Sequence, residues 1–118
     1  MKKTILTIGL VFLAFIANAQ LNSNANFIKG KSPVLYSQIK NIAGKQWEGD
    51  HQMMVYVINQ QSDALMEFLE IKKGISYDEK IMDKAINEWT ENIEGEYCTD
   101  YVMVIYVYKH QFKAKGSY

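Results

Sequence analysis

No arginine occurs in this chain: all 13 basic residues are lysines, set against 13 acidic ones. The absence removes the planar guanidinium that favours bidentate recognition of phosphate and guanine, and the formal charge at neutral pH is zero. Nucleic acid and anionic membrane surfaces are therefore not expected partners. Cysteine is almost absent too. Cys98 stands alone, so no intramolecular disulfide can staple the fold, and stability has to come from packing. With two histidines and one cysteine, the stock of groups for catalysis is thin: His51, His110 and Cys98. No Gly-rich phosphate loop or nucleophile elbow is present.

The one long apolar run, Ile5 to Ile16, follows Lys2 and Lys3 and leads into Ala17-Asn18-Ala19-Gln20. That order of charged, apolar and small residues is the pattern of a secretory signal peptide cleaved after Ala19, which predicts export to the periplasm or beyond. No membrane association is expected after cleavage. Residues 1–19 would leave with two lysines and no acid, so the mature chain carries an excess of two acidic residues. What remains is long enough for one domain with a modest core.

What the chain has is a repeat. Asp50, Met53, Tyr56, Val57, Gln61 and Ala64 recur without a gap as Asp100, Met103, Tyr106, Val107, Gln111 and Ala114. Each copy is preceded by Ile-x-x-x-Ala-x-x-x-Trp, as Ile39, Ala43, Trp47 and as Ile81, Ala85, Trp89. Two copies of one supersecondary unit should share a local structure. The copies span 32–74 and 76–118, after a polar stretch at 20–31 that reads as a flexible arm.

Ser32 and Pro33 suit the start of a helix, and Asp50 suits the N-cap of a longer one that ends near Lys72, Lys73 and Gly74. Ser76-x-x-Glu79 has the form of a capping box before a third helix with Ile81, Met82, Ala85, Ile86 and Trp89 inward. Residues 90–99 read as an acidic loop, an insertion between Trp89 and Asp100. Tyr101 to Tyr108 alone has the Val, Ile and Tyr content of a strand. Its counterpart at 51–58 belongs to an amphipathic helix, so the repeat predicts helix. The expected fold is all-α, two tandem helical hairpins forming a compact four-helix domain, with α+β and strands near 53–58 and 101–108 as the alternative.

The spacing Trp47-x-x-Asp50-x-x-Met53-x-x-Tyr56, with Gln61 following, resembles a short helical pattern of assorted uncharacterised bacterial proteins. The resemblance implies helicity and carries no activity with it.

Gln61 and Gln111 interrupt apolar stripes at the same point of each copy. They are expected to be buried with satisfied amides, setting hairpin register or lining a polar pocket. Trp47 and Trp89 should plug the ends of the core. Met103, Val104, Val107 and Tyr108 account for the inner face of the last helix, which leaves Val102, Ile105 and Tyr106 as a surface for a protein partner or for self-association. His51 with Met53 and Met54 would be a copper site only if the methionines were not core filler. Tyr101 replaces His51 in the second copy, so no metal or cofactor is expected. The chain reads as an exported, non-enzymatic protein-interaction module, an inhibitor, immunity-type protein or assembly accessory. The alternative is a small-ligand binder with its pocket between the hairpins.

Overall fold

The computed structural model describes residues 20–117; the signal-peptide reading falls on residues 1–19, outside the described ones. Five helices and one two-stranded hairpin follow in the order α1 (Ser23–Lys31), α2 (Pro33–Trp47), α3 (His51–Lys72), α4 (Glu79–Glu88), β1 (Thr90–Ile93), β2 (Glu96–Thr99) and α5 (Tyr101–Lys115). The chain is mostly helical. Both stretches for which strands were the alternative, 53–58 and 101–108, are helical. Among the described residues no helix is long and apolar enough to cross a membrane.

Helix starts follow the capping chemistry. Ser32 Oγ accepts from the Leu35 amide with Pro33 in the first turn, and Asp50 and Asp100 each accept from the amide three residues on, Met53 and Met103, both at 3.1 Å. One start differs from expectation. The cap of α4 is Asp78, which accepts from Ile81, rather than Ser76. An aspartate nearer the apolar stripe wins over a serine two residues upstream.

The repeat is visible in the backbone. In the first copy the Asp50 N–H donates to the Trp47 carbonyl at 2.9 Å across Glu48 and Gly49, and Gly49 takes the left-handed conformation that such a tight link needs (φ 85°). In the second, the Asp100 N–H donates to the Trp89 carbonyl, again at 2.9 Å, although ten residues intervene. The insertion leaves and returns to one point. It does so as an antiparallel hairpin with Thr90 opposite Thr99 and Ile93 opposite Glu96, its turn made by Glu94 and Gly95 with φ of 51° and 88°.

That hairpin replaces the solvated acidic loop expected from the sequence. Two short strands are marginal alone, and these are held by their acids. Glu96 accepts from Ser37 and Asn41 of α2 at 3.0 and 2.7 Å, and Glu91 pairs with Lys45. Cys98 then points into the core.

The expected flexible arm is also corrected. Residues 23–31 form α1, with Ala25 and Ile28 buried. Asn22 caps it and also donates from its backbone to Asn59 Oδ1 at 2.8 Å, while Asn22 and Asn24 side chains both reach Asp63. Asn59 and Asp63, polar residues of α3, are thus the seat of α1.

The core joins these parts. Ile39, Ala43, Val57, Leu65, Met82, Ala85, Val104 and Tyr108 belong to one buried cluster to which α1 through α5 and β2 all contribute. The helix α2 lies along α3, α4 along α5, and α3 against α5. Tyr108 also accepts from the Asp78 N–H, fixing the start of α4 to α5.

Because the Trp-to-Asp bond is the same in both copies, replacing residues 90–99 by the first copy's Glu-Gly should preserve the helices and lower stability. Far-ultraviolet circular dichroism and urea unfolding check this; loss of helix content would mean that the hairpin builds the fold rather than decorating a repeat.

Candidate functional site

The structure separates the two glutamines. Gln61 is 3% exposed and fully used: its Oε1 accepts from the Tyr101 N–H and its Nε2 donates to Asp100 Oδ1, both at 2.8 Å. Neither partner is a carbonyl, an indole or the other glutamine. Both belong to the start of α5, where the first N–H groups have no partner within the helix. Asp100 satisfies Met103, and Gln61, reaching over from α3, satisfies Tyr101. Gln61 therefore bonds the long helix of the first unit to the start of the long helix of the second.

Gln111, by contrast, is exposed, which corrects the expectation of a buried pair. The physical reason is asymmetry. The first unit is covered by α1 and by the start of α5, whereas Val107 and Ala114 of the second unit are less buried than their counterparts Val57 and Ala64. The structure thus does not bring Gln61 and Gln111 together.

The tryptophans also divide. Trp47 is half-buried against the core, but Trp89 is 38% exposed at the end of α4 and is not a core plug. Trp89 lines an open cleft of about 370 Å³ with Ile42, Gln46, Glu88, Cys98 and Asp100 among its walls. Sequence reasoning missed this cleft, because its walls come from the hairpin that was read as a loop.

The three residues read as a partner strip divide by exposure. Ile105 is 6% exposed and belongs to the core, since α3 crosses α5 and covers it. Val102 and Tyr106 remain exposed at 37% and 55%, and the Tyr106 ring lies 4.4 Å from that of His110. The outward stripe of α5 is therefore Val102, Tyr106, His110, one turn apart along a single face. A four-residue step from Val102 finds all three; the strip as first read mixed two faces.

Cys98 is buried beneath the hairpin, with its Sγ 3.5 Å from the Glu96 carbonyl. Burial raises its pKa above the ordinary thiol value, the nearby Glu96 and Glu91 carboxylates raise it further, and the Asn41 side chain works the other way. Among the described residues no group of three or more His, Cys, Asp or Glu side chains is placed to hold a metal ion. The chain matches no protein-family model, and it has no significant match among curated proteins or solved structures.

Two outcomes follow from these environments. Gln61→Leu should cost about 1–3 kcal/mol in urea unfolding, because it leaves the Tyr101 N–H without its acceptor, while Gln111→Leu should cost almost nothing. Equal effects would mean that the cap contributes no stability. Cys98 should react slowly with a thiol reagent in the native state even at pH 8–9, since a raised pKa keeps it protonated, and fast after unfolding.

Proposed function

We propose that this protein is an exported, non-enzymatic protein-interaction module that works through the outer face of α5. The observation that carries the reading is the stripe Val102, Tyr106 and His110, two large apolar side chains and an aromatic neighbour turned to solvent, while the inner face of the same helix is packed. An aromatic ring held by its neighbour on a rigid helix loses little side-chain entropy when a partner covers it, which is why tyrosine is common at the centre of interfaces. On this reading the two hairpins, α2 with α3 and α4 with α5, make a four-helix body, and α1 and the β-hairpin brace it. Inhibitor, immunity-type protein and assembly accessory all fit.

A second reading has an observation of its own. The cleft beside Trp89 is of the size that takes a small ligand, and an exposed indole next to carboxylates suits a polar, ring-bearing molecule.

Capture of exported proteins on the immobilised chain, run beside the variants Tyr106→Lys and Trp89→Ala, separates the two. The interaction reading expects a partner retained by the parent protein and by Trp89→Ala but lost with Tyr106→Lys, whose circular dichroism should be unchanged. Retention of the same partner by Tyr106→Lys would refute it.

A further inference from the structure

A lysine stands in the last turn of α1, α2, α3 and α5, where the unpaired carbonyls of a helix gather partial negative charge. The helix α4 has none. Its final residue is Glu88, which adds a carboxylate to a terminus that favours a cation, and no salt bridge among the described residues answers it. This exception forms part of the wall of the cleft beside Trp89.

The other walls extend the same bias. Four charged residues line the cleft, Lys45, Glu88, Glu91 and Asp100. Lys45 is committed to Glu91, so the excess is the two carboxylates of Glu88 and Asp100. The start of α5 offsets part of the Asp100 charge, whereas the end of α4 adds to that of Glu88. Lys80 and Lys84 line a separate groove, of about 280 Å³, beside Gln111.

Between the carboxylates stands an aromatic face. The Trp89 N–H donates to the Ala85 and Ile86 carbonyls at 3.1 and 3.2 Å, and its own carbonyl accepts from Asp100 at 2.9 Å. The backbone is therefore pinned on both sides while the indole is left exposed, with Ile42 and Ile93 as apolar walls of the same cleft. A tryptophan face is the aromatic surface that attracts a cation most strongly, and the apolar walls suit a ring.

We propose that the cleft beside Trp89 takes a ring-bearing organic cation, a small amine whose ring lies against the indole and whose ammonium is drawn to Glu88 and Asp100, supplying the positive charge that α4 lacks at its end. The proposal rests on the small-ligand reading of this cleft and is independent of the α5 stripe.

Isothermal titration calorimetry at neutral pH and low salt tests it on the purified protein with three probes of similar shape: 2-phenylethylammonium, the neutral 2-phenylethanol and the anionic 3-phenylpropanoate. The cation should bind about ten-fold more tightly than the alcohol, and the anion more weakly than either. Trp89→Ala should weaken the cation and the alcohol alike. Glu88→Gln should remove most of the preference for the cation and leave the alcohol unchanged, while Lys45→Met, which deletes the one cation of the cleft, should strengthen the preference. All three positions are exposed, so circular dichroism should match the parent protein. An alcohol bound as tightly as the amine and lost with Trp89→Ala would overturn the cation proposal and leave the small-ligand reading standing. A preference for the amine that neither Glu88→Gln nor Lys45→Met alters would also overturn it, and binding of none of the three probes would remove both.

Discussion

A helix that begins against the inside of a protein must find acceptors for its leading N–H groups, and α5 finds one of them on another helix. Gln61 of α3 accepts from Tyr101 and donates to the capping carboxylate of Asp100, which itself accepts from Met103. One side chain thus completes the cap of α5 and bonds the two units. Other contacts accompany it between the same two helices: Phe68 and Tyr101 meet with ring centroids 5.4 Å apart, and Lys109 pairs with Glu67. An amide suits the role because it offers a donor to the carboxylate and an acceptor to the N–H at once.

Much of the fold was legible because the repeat constrains what local propensity leaves open. Tyr101 to Tyr108 has a strand's composition, and only its match to 51–58 identifies it as helix. The two copies also share a backbone bond from Asp to Trp, at 2.9 Å in each. What escaped was of two kinds. The polar runs at 20–31 and 90–99 carry no apolar period, so their structure is invisible to periodicity; they are ordered by side-chain bonds to distant residues, Asn22 to Asn59 and Glu96 to Asn41. Burial of Gln111 and Trp89 was inferred by symmetry. A repeat fixes local structure but says nothing of what covers each copy, and α1 packs on the helices of the first copy.

That inequality bears on function. Gln61 and Ala64, buried in the first unit, have exposed counterparts in the second, Gln111 and Ala114. The outward stripe of α5 and the groove beside Gln111 both lie on the second unit. The cleft at Trp89 arises where the two units meet, from an insertion that only the second copy carries.

Amide hydrogen exchange at one residue tests the central claim, that Gln61 caps the second unit from the first. Tyr101 occupies the first position of its helix, where an amide ordinarily exchanges fast, and His51 is its counterpart in the first copy. The Tyr101 amide is expected to be protected far beyond that of His51, and to lose that protection in Gln61→Leu while the amides in the middle of α5 keep theirs. Tyr101 exchanging as fast as His51 in the parent protein would contradict the account.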